Sequence, residues 1–224
     1  MERWLIWGGY PPIVTAEPAL RERLLGELVG SYLYRDILEM EGVRRAEKIV
    51  DLLRLLAFQI GHEVSLTKLA TALGLNRQTV ERYLDLLEKV FVIFRVRGLS
   101  RNLRKEISKS PRYYFFDNGV RNSLIQNFNR LDLRNDIGQL WENYLMVERR
   151  KANEYSGRQA NIYFWRTHDQ KEIDYVEERG GVLYGYEFKW QGQARAAARQ
   201  AFTAAYPEAQ VETITRENFR DFVG

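Results

Sequence analysis

Apolar residues recur at helical spacing through the first ninety positions and then switch to strand-like alternation. Leu20, Leu24, Leu28 and Tyr32 predict a helix ending near Leu38, and Ile49, Leu52, Leu53, Leu56 and Ile60 predict a second. Ser65 to Lys89 reads as two helices about Gly74. Ser65 can cap the first and Asn76 the second, with Leu69, Ala70, Leu73, Val80, Leu84 and Leu87 as the packing stripe. Phe91–Gly98 and Arg112–Phe116 then read as an outgoing and a returning strand.

The second half has its own order. Asp136, with Gln139 three residues on, looks like a helix start, and Ile137, Leu140, Trp141, Tyr144 and Leu145 carry that helix to about Lys151. Asn161–Thr167 is rich in aromatic strand formers. Glu172–Arg179 and Val182–Trp190 flank Gly180-Gly181, a two-residue hairpin signal. An alanine-rich helix from Gln193 is stopped by Pro207. A short strand follows at Val211–Thr215, then a last turn or helix over Glu217–Phe222. The expectation is an α+β chain with α/β character in its second half. Residues 1–60 form a helical segment, 61–120 a winged helix-turn-helix, and 130–224 an α-β-β-β-α-β domain.

The hairpin carries the chemistry. With Gly180-Gly181 as the turn, Arg179 pairs with Val182, Asp174 falls opposite Glu187, and Glu172 falls opposite Lys189. Residues two apart share a face, so these four side chains are expected to point the same way. Opposed carboxylates destabilise a sheet, their Cβ atoms being about 5 Å apart. A cation between them removes that penalty, and magnesium is held by one or two carboxylates plus waters and phosphate oxygens. The spacing therefore predicts a magnesium or manganese site. An ordinary surface ion pair between Lys189 and Glu172, with Asp174 and Glu187 solvated, fits the same spacing.

An acid on the first helix (Glu142), one on the second strand (Asp174) and Glu187-x-Lys189 on the third, in this element order, resembles the restriction-endonuclease-like nuclease superfamily. The resemblance implies that Asp174, Glu187 and Glu142 hold magnesium and that Lys189 orients water or stabilises developing phosphate charge. Further segments occur in order: Trp7-Gly-Gly-Tyr-Pro-Pro-Ile-Val14, Tyr34-Arg-Asp-Ile37, Tyr113-Tyr-Phe-Phe-Asp-Asn-Gly119, Gly138-Gln-Leu-Trp-Glu-Asn143 and Phe164-Trp-Arg-Thr167. Over nearly the whole chain they resemble the C-terminal region of a family of bacterial and archaeal AAA-type P-loop ATPases. That family carries its ATPase module upstream. No Gly-x-x-x-x-Gly-Lys-Ser/Thr occurs here, so ATP binding by a P-loop is not expected of this chain. It reads as a piece of a longer protein or a truncated gene, with the ATPase module as a partner upstream or in trans.

Composition adds a little. A length of 224 residues allows one large domain or two small ones, and a hydrophobic share of 45% can fill a core. There is no cysteine, hence no disulfide or thiolate zinc site. The early Trp4-Leu-Ile-Trp7 run is broken by Gly8-Gly9, too short for a signal peptide, and no apolar run reaches membrane-spanning length. A cytoplasmic location is expected. Only His62 and His168 are present, which speaks against a histidine metal cluster or triad. The net charge of +4 is modest, but basic residues cluster. Arg77, Gln78, Thr79, Arg82 and Tyr83 lie where a reading helix meets base edges. Arg95, Arg97, Arg101, Arg104, Lys105, Lys109 and Arg112 surround the wing, an electrostatic footprint suited to duplex DNA. Many winged helices only pack against proteins. Three functions follow: a metal-dependent DNA nuclease, a nucleic-acid-binding module that no longer cuts, or a regulatory module of the ATPase.

Overall fold

A computed structural model describes residues 1–31, 46–100, 110–192 and 196–224. The Tyr34–Ile37 segment, the helix end near Leu38, and Arg101, Arg104, Lys105 and Lys109 lie outside the described residues, as do positions 193–195. The chain divides into two compact units, Met1–Arg95 with Arg112–Asp136, and Val96–Pro111 with Ile137–Gly224. The segments 1–60 and 61–120 thus contribute mainly to one unit.

The first unit contains α1 (Glu2–Trp7), α2 (Pro11–Thr15), α3 (Arg21–Ser31), α4 (Ala46–Phe58), α5 (Leu66–Leu73), α6 (Arg77–Lys89) and α7 (Asn118–Leu124). Ile49, Leu52, Leu53, Leu56 and Ile60 are all buried, as their period requires. On α3 the fully buried residue is Leu25, while Leu20 is exposed. Leu24 and Leu28 are half-buried, and Leu20 lies outside the helix, in a 3-10 turn at Pro18–Leu20. Between α5 and α6, Gly74 takes φ 64°, the left-handed conformation that a glycine supplies without strain. The Ser65 hydroxyl accepts from Lys68 N–H at 3.4 Å, and Asn76 Oδ1 accepts from Thr79 N–H at 2.8 Å. Both caps match the sequence expectation.

Asp117 locks two distant sequence segments together. Its Oδ1 caps α7 by accepting from Val120 N–H at 3.0 Å, and its Oδ2 accepts from Gly9 N–H at 2.6 Å. A Cβ on Gly8, which has φ 72°, would lie 2.0 Å from Asp117 Oδ1, and one on Gly119 would lie 2.2 Å from the Trp7 carbonyl oxygen. The Gly-Gly and Asp-Asn-Gly segments therefore need their glycines for close approach. Asp117→Ala is expected to cost about 2 kcal/mol, a lost cap plus a lost charge-assisted hydrogen bond. Chemical denaturation measures it. No loss would mean that Asp117 contributes nothing to this junction.

The second unit runs α8 (Ile137–Tyr155), β3 (Asn161–Arg166), β4 (Glu172–Arg179), β5 (Val182–Phe188), α9 (Ala196–Ala205), β6 (Gln210–Ile214) and α10 (Phe219–Val223). This is the helix, three strands, helix, strand order expected. The first unit also holds β2 (Arg112–Phe115); β1 (Ile93–Gly98) enters the second unit at Val96, where Arg97 and Gly98 pair parallel with Tyr163 and Phe164, and the order there is β1-β3-β4-β5-β6. The β3–β4 and β4–β5 pairs are antiparallel, and β5–β6 is parallel. Gly180 and Gly181 have φ 56° and 80°, the two positive values a tight hairpin turn needs. Arg179 pairs with Val182, as the turn predicts. Trp165, Ile173, Val176 and Phe202 form a core cluster with α9, and Tyr175, Tyr186 and Phe188 pack around Phe222 of α10. The fold is α+β.

Candidate active site

The β4 strand is irregular where the chemistry lies. Tyr163 pairs with Val176, but Trp165 pairs with Ile173, so two steps on β3 span three on β4. The extra residue is a β-bulge at Asp174–Tyr175, a device that bends a strand and re-aims a side chain. On the other edge, the β4–β5 ladder ends at Tyr175–Tyr186, one step short of the expected Asp174–Glu187 pair. There Asp174 Oδ2 accepts from the Phe188 N–H at 2.8 Å. The Asp174 carboxylate therefore lies on the peptide unit that follows Glu187, and both acids are nearly buried, at 6% and 3% exposure.

Lys189 completes the group. Its Nζ is 2.8 Å from Glu187 Oε1. The expected Lys189–Glu172 pair does not form. Glu172 instead lies 3.6 Å from Arg166, because the β4–β5 register is not continued past the bulge. Buried carboxylates are costly unless paired, so an ammonium on Glu187 and an amide on Asp174 are what burial demands.

The donor chemistry suits magnesium in kind: hard carboxylate oxygens from two adjacent strands. Among the described residues, no three His, Cys, Asp or Glu side chains converge to hold a metal. Glu142, half-buried on α8 beside the fully buried Trp141, thus does not join Asp174 and Glu187 in a three-donor group. Asp174 and Glu187 remain the two acids that the neighbouring strands bring near one another. His168 is exposed in the β3–β4 turn.

The side chains expected to read DNA from α6 divide by exposure. Arg77, Gln78 and Arg82 are exposed on α6, and Thr79 is half-buried. Arg77 pairs with Glu81 at 3.1 Å. Tyr83 is core, at 2% exposure, and so is Arg112, which removes both from any nucleic-acid surface. Their positions satisfy an inward-facing stripe and an all-buried strand, which charge counting cannot reveal. Arg95 is held by Glu88 at 3.3 Å and Asp85 at 3.8 Å, so its charge is largely neutralised within the unit. Arg97 is exposed on β1.

A model described as Domain of unknown function (DUF8612) matches residues 1–131. The chain belongs to this family. A second model, Domain of unknown function (DUF4143), matches residues 137–220, the span of α8 to the start of α10. This DUF8612 family member is 28% identical over 185 residues to an uncharacterized protein of Haemophilus influenzae, covering 80% of the chain and 43% of that relative. It is 28% identical over 192 residues to one of Mycobacterium tuberculosis, covering 84% and 42%. One of Methanocaldococcus jannaschii is 25% identical over 223 residues, covering 96% and 47%. The chain spans less than half the length of each of these relatives. No solved structure matches it. Among the described residues, no helix is long and apolar enough to cross a membrane.

The DUF8612 family member also buries a charge cluster that its sequence spacing did not reveal. Glu177, wholly buried, accepts from Arg149 Nε at 2.8 Å and Nη2 at 2.9 Å, Asn153 at 2.6 Å and the Tyr175 hydroxyl at 2.7 Å. Burial opposes ionisation of Glu177, but these hydrogen bonds and the Arg149 charge outweigh it and hold the carboxyl at about 2. Tyr175, next to Asp174, is thereby anchored to α8. Tyr175 and Glu177 are two apart on β4 and so share a face, but the Arg149 partner lies 28 residues away on a helix.

Proposed function

We propose that this chain is a magnesium-dependent phosphodiesterase acting on DNA, built on a winged helix followed by a restriction-endonuclease-like domain. One observation carries the reading. Two nearly buried acids, Asp174 and Glu187, lie on the neighbouring strands β4 and β5, Asp174 on the Phe188 amide that follows Glu187, with the Lys189 ammonium 2.8 Å from Glu187. The α-β-β-β-α-β order and the parallel β5–β6 pair support the resemblance. Asp174 and Glu187 are the residues that would hold the ion, whose chemistry is to polarise a phosphoryl oxygen and acidify a bound water. The Phe188 amide fixes the Asp174 carboxylate, so little reorganisation is left for the reaction. Lys189 has three donor protons and shares them between Glu187 and the charge that develops on phosphate. The exposed Arg77, Gln78 and Arg82 are the side chains offered to duplex DNA from α6.

The test is incubation with linear, supercoiled and branched DNA plus magnesium or manganese. Cleavage is expected, and Asp174→Asn or Glu187→Gln should reduce it to the buffer background. Equal cleavage by these isosteric variants, folded as judged by circular dichroism, would overturn the assignment. The absence of a third converging carboxylate among the described residues favours a second reading, a nucleic-acid-binding module of an upstream ATPase that does not cut. Salt-dependent DNA retardation without nicking distinguishes it.

A further inference from the structure

The parallel β5 and β6 strands deliver their carboxyl ends side by side. Phe188 pairs with Ile214, and the Lys189 N–H donates to the Ile214 carbonyl at 2.9 Å. The next residues are therefore neighbours, Trp190 after one strand and Arg216 after the other. In open α/β sheets, ligands sit outside the carboxyl ends of the strands. Trp190 is half-buried and packs edge-on against the fully buried Trp141, with centroids 5.5 Å apart at 67°. Trp141 is in turn backed by Phe219 at 5.5 Å. The indole is thus fixed from behind. The guanidinium of Arg216 lies over the Trp190 ring, 4.8 Å from its centroid, and Arg216 is exposed. The adjacent Glu217 carboxyl is engaged by Thr215, whose hydrogen bond holds it below its usual value.

A guanidinium held over an indole by cation–π attraction keeps forked N–H donors matched to phosphate, and its plane is a surface on which a base can stack. Unpaired nucleobases stack on aromatic rings and on guanidinium planes. A base inside a duplex offers no such face. We propose that Trp190 and Arg216 form a nucleotide platform directly beyond Lys189. It takes an unpaired base of single-stranded nucleic acid, with the neighbouring phosphate on the Arg216 edge. This rests on reading this end of the sheet as a phosphodiester site, and it adds the strandedness of what that site receives.

The measurement is fluorescence anisotropy of a labelled oligothymidylate with the whole chain, at low salt and in EDTA, where no metal-dependent cleavage occurs. Arg216→Ala is expected to weaken binding about tenfold. Trp190→Leu should do the same, and Trp190→Phe should retain most of the affinity. Arg220→Ala, which removes an equal charge from the exposed side of α10, should bind as wild type. Unlabelled single strand should compete better than a blunt duplex of the same length. Wild-type binding by Arg216→Ala, or equal loss in Arg220→Ala, overturns the platform. The two readings separate cleanly. If the wild type never cleaves but Arg216→Ala loses binding, the platform stands and the hydrolytic reading fails. If Asp174→Asn abolishes cleavage while Arg216→Ala binds and cleaves normally, the platform alone fails.

Discussion

Arg149→Ala is expected to destabilise the protein by about 3 kcal/mol, the lower end of the cost of breaking a buried ion pair, because a second cation stays near the acid. The wholly buried Glu177 carboxylate loses both bonds of a bidentate pair and keeps only Arg179 at 3.3 Å as a cation, with Asn153 and the Tyr175 hydroxyl as donors. It also removes the Arg149 donor to the Phe222 carbonyl at 2.5 Å and the guanidinium packed 4.8 Å over the Phe222 ring. Loss of α10 docking should accompany the loss of stability. Urea denaturation of wild type and variant measures the difference, and a change under 1 kcal/mol would refute the buried-pair account.

The same cluster sets an acid limit. Glu177 titrates at about 2 in the folded protein against an ordinary 4.5. A folded value below the unfolded one means that the unfolded chain binds the proton first. The contribution is therefore complete above about pH 4.5 and is lost as pH falls towards 2. Its size is about 3 kcal/mol. Stability measured between pH 5 and pH 2.5 (an approximate window, about the two values above) should fall more steeply for wild type than for Glu177→Gln.

Asp136→Ala should be the other strongly destabilising change, again by about 3–5 kcal/mol. Its carboxylate accepts from Arg121 Nη1 at 2.5 Å and from Arg134 at 2.8 Å through both Nε and Nη2. The Arg121 and Arg134 side chains are 3% and 0% exposed, so removing one carboxylate leaves two buried guanidiniums. Burial already pulls the Arg121 value down, while Asp136 restores part of it. Asn122, which receives both arginines on Oδ1, also donates to the Leu5 and Ile6 carbonyls of α1. The variant should thus loosen α1, and limited proteolysis near the N-terminus reports that directly. Unchanged melting and unchanged proteolysis would show that the two arginines find other partners.

Asp136 illustrates where sequence reading reaches its end. Its place before an apolar-periodic run marks a helix start correctly, and α8 begins at Ile137. The same position suggests a capping carboxylate. In the fold that carboxylate is taken by two arginines instead, because a charge-assisted bond to a buried guanidinium outweighs a neutral amide. Arg95 repeats the lesson. Its place among the basic residues of the wing suggests a charge offered to DNA, but Glu88 and Asp85 of α6 neutralise it. The hairpin register came from Gly180-Gly181 alone, and it holds from Arg179–Val182 to Tyr175–Tyr186. It gives out at the bulge, which depends on β3 and has no mark in the sequence of β4.

Turn chemistry, caps and hydrophobic period act over a few residues, so the chain alone was enough to specify the element order, the Gly74 and Gly180-Gly181 turns and the closeness of Asp174 to the Glu187 end of β5. Which charges neutralise one another was settled only by packing. Lys189 went to Glu187, Arg149 to Glu177 and Arg216 to the face of Trp190, because each choice balances desolvation against partners brought in from separate elements.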